Sequence, residues 1–480
     1  MTFSDFATLL PETALVIWAS ALLLVDLFIP KNRKGWTAFL AVLGLAAAFG
    51  FALAQGRGMG AGFGGMVVSD GFATFLEAML ALSGGLGILL AYDYLKRQGI
   101  ERGEYYTLLL FSVAGMMLMA KAADLMVLFL AVELLSIPLY VLSAFGRPRE
   151  AGEEAALKYF LLGAFAAAFL VYGIALTYGA TQTTRIAAIA EAVQAGSANL
   201  PLLAFGAGLI LVGLGFKVAA VPFHMWTPDV YEGAPSPLTG FMAVGAKVAG
   251  FAALLRVLVL AFPNLGSQLV PIVWTLALLT MLVGNLAALT QKNIKRMLAY
   301  SSIAHAGYML VAVVAFADAK AAPAAVAAVL FYLAAYALTN FGAWAVVVAV
   351  ERAEGKGLEI ADYAGLGRKH PWLALAMTVF MLSFAGFPPT VGFVGKFYLF
   401  RAALAAGYVG LAIVGVLASV VSVYYYMRVV TTMYMREGQA EAYGDAWLKV
   451  EVALTALATV FLGIIVAPMF QWAVQAVLKM

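Results

Sequence analysis

Residues 201–250 read PLLAFGAGLILVGLGFKVAAVPFHMWTPDVYEGAPSPLTGFMAVGAKVAG. Two apolar runs lie here, and each carries a lysine inside it, Lys217 in the first and Lys247 in the second. A charge at the centre of a spanning helix costs about 2.5–3.5 kcal/mol on insertion scales, so an ionisable residue kept there points to function. Pro222 and Pro228 follow Lys217 with His224 between them. Proline removes a backbone donor and clashes with the preceding turn, so the first run is expected to break near the bilayer midplane. Such a break is tolerated only where protein or water satisfies the freed backbone groups.

The rest of the 480-residue chain has the same character: 64% of residues are hydrophobic, 11% are charged, and the mean hydropathy is +0.96. This composition excludes an ordinary soluble domain. A spanning helix needs about 20 apolar residues, and runs of this kind are expected at 9–29, 36–55, 71–92, 105–120, 123–145, 155–178, 201–231 (broken), 236–262, 270–290, 296–317, 323–350, 371–406 (broken), 408–434 and 450–475. The first run follows acidic Asp5 and Glu12 instead of a basic region, so it reads as a retained helix and not as a cleaved signal. The segment 182–198 is weakly apolar and is expected to form a short helix on the membrane surface.

Of the lysines and arginines in the alternating connections, roughly eighteen fall on one side of the membrane and about six on the other. Basic loops stay inside, which places both termini outside, on the periplasmic side of a bacterial inner membrane. The net charge of +4 is this topogenic excess and not a nucleic-acid footprint. The chain contains no cysteine, which rules out disulfides and cysteine-ligated metal centres, and its three histidines, His224, His305 and His370, are widely separated. Redox chemistry would therefore belong to partner subunits.

A second interrupted run, 371–406, holds Gly386, Pro388, Pro389, Gly392, Gly395 and Lys396. Paired interruptions in two halves of a chain are the sequence pointer to a transporter built of repeats. Pro222 and Pro388 are 166 residues apart, and Glu133 and His305 are 172 apart. The expected fold is all-α and integral to the membrane, with about fourteen transmembrane helices and two inverted five-helix repeats, each containing one broken helix. The expected divisions are an N-terminal three-helix segment (1–104), the first repeat (105–262), the second repeat (270–434) and a C-terminal helix (435–480).

The buried polar residues carry the chemistry. Glu133 shares a helix face with Ser136 and Tyr140, either as a protonated carboxyl held by a backbone carbonyl or as the partner of a lysine on a neighbouring helix. Burial disfavours an ammonium whereas a nearby carboxylate favours it, so a buried lysine with a movable carboxylate partner is a switchable proton site. Lys217 and Lys247 fit that role, and Lys396 fits either an exit route or a cap on broken-helix carbonyls. Lys158 lies four residues after Glu154, the spacing of an ordinary helical ion pair. Arg256 reads as a snorkelling anchor. Ser301, His305 and Tyr308 form one polar stripe, and Tyr332, Tyr336 and Thr339, with Asn340 adjoining, form another. Each stripe suits a hydrated path or interhelical hydrogen bonding. The charges of 351–370 read as solvated or as subunit contacts.

Four stretches resemble the antiporter-like membrane subunits of respiratory complex I, the proton-translocating NADH:quinone oxidoreductase: 215–250, AVELLSIPLY at 131–140, QKNIKRMLAYSSIAHAGYML at 291–310 and FAGFPPTVGFVGKFYLF at 384–400. The run TGFMAVGAKVAG around Lys247 and the ending soon after the last span resemble the N-type branch, the counterpart of mitochondrial subunit 2. The resemblance implies that Glu133 and Lys217 form a charge pair, that Lys247 is the central proton-transfer lysine, that Lys396 lies on the second half-channel, and that Lys158 and His224 also matter. It further implies neighbours of the K, M, J and A types, with FMN, iron–sulfur clusters, NADH and quinone in partner subunits and no cofactor or metal here. A subunit of a multisubunit Na⁺/H⁺ antiporter or of a membrane-bound hydrogenase would share the fold and lysines, and a non-transporting scaffold would share the fold alone.

Overall fold

Carboxylate and amide side chains set where several helices begin. Asp70, Asp124, Asn199, Asn293 and Asp445 each accept a hydrogen bond from a first-turn backbone N–H, which satisfies donors that a helix start otherwise leaves orphaned. The computed structural model describes residues 3–56, 60–146, 149–352 and 355–478. Arg57, Arg147 and Lys479, counted above in the charge asymmetry, lie outside the described residues.

The chain begins with α1 (Phe3–Thr8), α2 (Leu10–Asp26) and α3 (Gly35–Gln55). An antiparallel hairpin of β1 (Gly60–Gly62) and β2 (Val67–Ser69) leads into α4 (Gly71–Arg97). Then come α5 (Glu104–Lys121), α6 (Leu125–Ser143), α7 (Glu150–Thr181) and the short α8 (Ile186–Gln194). The first interrupted run forms α9 (Leu200–Val218) and α10 (Trp226–Gly233), and α11 (Ser236–Arg256) continues through a π turn to Ala261. Next are α12 (Gly266–Thr290), α13 (Ile294–Val313), α14 (Ala322–Val350) and α15 (Leu366–Lys369). The second interrupted run forms α16 (Pro371–Ala385) and α17 (Val391–Ala405), followed by α18 (Val409–Met435), α19 (Ala446–Ile464) and α20 (Ala467–Gln475).

Among the described residues, 11 helices are long and apolar enough to cross a membrane. The other expected spans fall on α2, α5 and the divided α16–α17 pair. All 21 residues of α11 are buried, and α13 and α14 are buried along most of their length. These three helices form the central column. Helices around it keep large apolar side chains exposed, among them Ile17, Phe165, Leu417 and Leu457, as a lipid-facing wall requires.

Two expectations need correction. The last run is not one span to 475: α19 stops at Ile464, and Pro468 sits in the first turn of α20. There a proline suits a new helix start better than a continued one. α20 folds back so that Trp472 meets Phe75 and Phe470 stacks on Tyr398. Arg256 does not snorkel. It is 2% exposed, forms a two-pronged pair with Asp70 at 3.0 and 3.1 Å, and donates to the Ala120 carbonyl. The expected surface helix in 182–198 is α8, which buries Ile186 and Ile189.

On the basic face the loops lock together. Tyr443 N–H donates to Ala349 O at 2.8 Å, and the Tyr443 hydroxyl donates to Glu441 at 2.7 Å. That hydrogen bond, with Lys369 and Arg352 nearby, holds the Glu441 carboxyl below the usual carboxylate range. On the opposite side of α19, Gly463 lies against the second helix break, where a methyl group would overlap the Pro389 carbonyl and the Thr390 backbone. Gly463→Ala is expected to lower stability by about 1–3 kcal/mol through overpacking, read as a lower thermal unfolding midpoint. An unchanged midpoint would contradict the seating of α19 on the break.

Candidate functional site

Each interrupted run stops at a left-handed residue. Ala219 (φ 59°) ends α9, and Gly386 (φ 88°) ends α16. The freed groups of the first break find partners within the protein. Ala220 N–H returns to Gly215 O at 2.8 Å, Val221 N–H donates to Thr280 Oγ1 on α12 at 2.9 Å, and the Trp226 indole donates to Phe216 O at 3.1 Å. At the second break, Gly392 packs so closely on α16 that a methyl group would overlap the Ser383 carbonyl, and its N–H donates to Ser383 Oγ at 3.2 Å.

Lys217 is 5% exposed in the last turn of α9. Its Nζ donates to Ser136 Oγ at 2.6 Å and lies 5.6–6.0 Å from the rings of Phe216, Tyr140 and Tyr159, within cation–π range. Lys396, though it follows its own break in sequence, reaches back to the end of α16 and donates to Phe384 O (2.8 Å), Ala385 O (3.2 Å) and Ser419 Oγ (2.6 Å). The Lys396 amine therefore sits at the negative end of a half-helix, whereas Lys217 stands in the last turn of α9 with its amine turned to α6. The capping role considered for Lys396 is present in the geometry.

Lys217 does not touch Glu133. Among the described residues no lysine or arginine nitrogen lies within 4.0 Å of the Glu133 carboxylate. The reason is the orientation of α6. Glu133 is half-buried in an outward stripe with Leu130 and Ile137, which are 58% and 56% exposed, whereas Ser136 and Tyr140 turn inward.

Lys247 is enclosed by the central column. Its Nζ donates to the Ser302 carbonyl of α13 and lies 5.6 Å from the Tyr336 ring. One turn further along α11, Gly250 packs against Lys217, so the two lysines occupy adjacent helices. Beyond Ser302 the two polar stripes meet. His305 Nδ1 pairs with the Tyr332 hydroxyl (2.5 Å) and Nε2 with the Tyr426 hydroxyl (3.0 Å), which in turn pairs with Ser301 Oγ (2.5 Å). Tyr308 accepts from Asn285 at 3.0 Å, and its ring lies 4.7 Å from Lys396 Nζ. Thr339 pairs with Ser383 at 2.9 Å, and Asn340 donates to Gly240 O at 3.3 Å. Hydroxyls, an imidazole and amines thus follow one another from Lys247 to Lys396, which is the inventory a proton relay needs.

Lys158 lies apart, about 40% exposed on its side chain, and binds Glu154 at 2.6 Å and Asp229 at 2.8 Å. Arg296 joins Asp229 and Glu232, each at 2.8 Å, so the expected i,i+4 pair is one edge of a network tying α7, α10 and α13. His224 is half-buried in the first break, and its Nδ1 is buried without a hydrogen-bond partner among the described residues. No group of three or more His, Asp and Glu side chains among the described residues could hold a metal ion.

Sequence reading missed a buried ionic cluster near the opposite face. Lys121, one of the roughly six basic residues assigned to the less basic side, is 0% exposed, with its Nζ 2.7 Å from Glu77, 3.1 Å from Glu12 and 3.0 Å from Gln55. Its place at a helix end gave it the look of a topogenic residue.

Helices broken in mid-membrane around buried lysines define a class of ion-translocating membrane subunit. A family model for the membrane domain of NADH:quinone oxidoreductases and Mrp antiporters matches residues 122–422. The chain is 50% identical over 474 residues to NADH-quinone oxidoreductase subunit N of Trichlorobacter lovleyi, covering 98% of this chain and 96% of that one. It is 47% identical over 472 residues to the subunit N of Chloroflexus aggregans, covering 97% and 96%. A chain of respiratory complex I from Thermus thermophilus with bound aureothin matches with TM-score 0.82 at 37% identity over 96% of this chain and 98% of that one. A chain of the Mrp complex from Dietzia shares the fold, with TM-score 0.83 at 21% identity over 97% and 96%. The chain belongs to the subunit N family of NADH-quinone oxidoreductase, the antiporter-like membrane-arm subunits of complex I.

Removing one partner of a buried ion pair typically costs about 3–5 kcal/mol because the other charge is stranded. Lys121→Met, which strands Glu77 and Glu12, is expected to destabilise the chain by that order, measured as a lowered unfolding midpoint. A midpoint equal to that of the parent would show that the cluster contributes no net stability.

Proposed function

We propose that this chain moves protons across a bacterial inner membrane, with Lys247 as the central proton carrier and Glu133, Lys217 and Lys396 as the charged groups that load and discharge it. The observation that supports this most strongly is the row of buried polar groups between Lys247 and Lys396: Ser302, then His305 with Tyr332, Tyr426 and Ser301, then Tyr308, whose ring lies 4.7 Å from Lys396 Nζ. A proton crossing this row needs water to bridge the groups that do not bond one another.

In this reading both termini face the periplasm, and the fourteen spans comprise a three-helix segment (1–104), inverted repeats at 105–262 and 270–434, and a C-terminal part (435–480). Quinone reduction in partner subunits changes the electrostatics along the membrane arm. Glu133, set in an outward apolar stripe, is placed to sense a neighbouring K- or M-type subunit, with J and A subunits further along the arm. When that carboxylate moves toward Lys217 or away from it, the charge beside Lys247 changes, and Lys247 takes up or releases H⁺. A charge crossing the full potential costs about 2.3 kcal/mol per 100 mV. A change of a few units in proton affinity, at about 1.36 kcal/mol per unit, is large enough to drive it. Lys158 and His224 lie beside the first break, where they would tune its charge and hydration. FMN, iron–sulfur clusters, NADH and quinone belong to partner subunits, and no cofactor is proposed for this one.

In vesicles bearing the assembled complex, Lys247→Ala is expected to lose NADH-driven proton transport through this subunit while the complex still assembles. Full proton transport by an assembled Lys247→Ala complex would instead leave the subunit as a scaffold.

A further inference from the structure

Lys295 and Glu351 stand at chain positions that read as loop charges, yet they are 2% and 1% exposed. Lys295 lies in the first turn of α13, and its Nζ donates to Ala234 O at 2.7 Å, the one acceptor it has among the described residues. Glu351 follows the end of α14. Its Oε1 accepts from the Tyr94 hydroxyl at 3.0 Å, and its Oε2 is buried without a partner among the described residues. The two ends are tied together, since Ile294 N–H donates to Leu358 O and Ile360 N–H to Lys292 O, each at 2.8 Å. Glu351, Glu232 and Arg149 are the charges within electrostatic reach of Lys295.

From this point a seam runs inward to Lys247. On α13, Ser302 is seven residues beyond Lys295, about 10 Å along the same face. Its carbonyl holds Lys247 Nζ, while its own buried hydroxyl lies close to those of Tyr231 and Tyr336. On α14, Tyr336, Trp344 and Glu351 fall within an arc of about 80°. The Tyr336 hydroxyl is buried beside Ser302, and the Trp344 indole N–H is buried and unpartnered among the described residues. Buried polar atoms in folded proteins are almost always satisfied, by water where protein does not reach them. The unpartnered Trp344 N–H and Glu351 Oε2, with the Ser302 and Tyr336 hydroxyls between them and Lys247, mark a hydrated path.

We infer that Lys295 and Glu351 form the proton-uptake site that serves Lys247 from the basic face, connected to it by this α13–α14 seam. The inference rests on the proton-transfer reading of Lys247. The Lys247 amine takes H⁺ from a water in the seam, the Lys295 ammonium gives H⁺ to the hydroxide left behind, and the neutral Lys295 is reprotonated from the basic face through the Glu351 carboxyl. Each transfer moves one proton: the water, Lys295 and Glu351 return to their starting states, and Lys247 is left holding the proton taken up from the basic face.

The test uses the assembled complex in vesicles, with proton transport measured per NADH oxidised for Lys295→Arg, Glu351→Gln and, in parallel, Lys247→Ala. Arginine keeps the charge and the bond to Ala234 O but does not release its proton, and glutamine keeps the acceptor for Tyr94 without a titratable group. Both variants are expected to show the same loss of transport as Lys247→Ala. Transport at the parent ratio in Lys295→Arg would overturn the inference, because a structural anchor tolerates arginine. Should Lys295→Arg fail to assemble, Glu351→Gln decides alone: loss supports the inference, and the parent ratio overturns it. If Lys247→Ala itself retains full transport, the parent reading fails first, an outcome distinct from normal transport in the Lys295 and Glu351 variants alone.

Discussion

An ammonium in hydrocarbon must be solvated by the protein that buries it, and much of this fold follows from that requirement. Breaking a helix in mid-membrane supplies the solvent: backbone carbonyls that would otherwise bond within the helix become available to an amine. Lys396 uses them directly, holding Phe384 O and Ala385 O at the end of α16. Lys217 ends α9 among aromatic rings and one serine hydroxyl. Lys247, in an unbroken helix, borrows the carbonyl of Ser302 from the next one. None of the three amines has a carboxylate within 4.0 Å among the described residues. Dipoles and hydroxyls, not fixed counter-charges, stabilise each amine, which suits the proton-carrying role proposed for them.

The ion pairs of this chain lie elsewhere. Lys121 with Glu12 and Glu77, and Arg256 with Asp70, tie α2 and α4 to α5 and α11, and Lys158, Asp229, Arg296 and Glu232 do similar work across α7, α10 and α13. Charge is thus divided between two uses. Paired charges near the two faces fix helices in place, and the amines in the middle have no carboxylate partner within 4.0 Å among the described residues. Glu133 belongs to neither group: half-buried between exposed Leu130 and Ile137, it makes no ion pair among the described residues yet stays within electrostatic reach of Lys217.

Both helix breaks, the buried positions of Lys217, Lys247 and Lys396, and the stripes through His305 and Tyr332 were legible in the sequence. Proline chemistry, apolar run length and helical spacing are local properties, and they survive without tertiary information. What the sequence hid was tertiary. Lys121, Lys295 and Glu351 lie within a turn of helix ends, where a charge ordinarily meets water, and only the packing of other helices over those ends buries them. The partners of His305 and Ser301 come from α18 as well as α14, and no spacing within α13 announces Tyr426. The Glu133–Lys217 pair failed as a direct contact for a similar reason, because residues three apart on α6 straddle the boundary between its inward and outward faces.

The account stands on water and hydroxyls joining buried amines into one path, and a map of ordered water in the assembled complex tests that most directly. Density hydrogen-bonded to Lys247 Nζ and the Tyr336 hydroxyl, continuing past His305 to within reach of Lys396 Nζ, is the predicted result. A Lys247 amine sealed by apolar carbon, with no water between it and His305, would contradict the account.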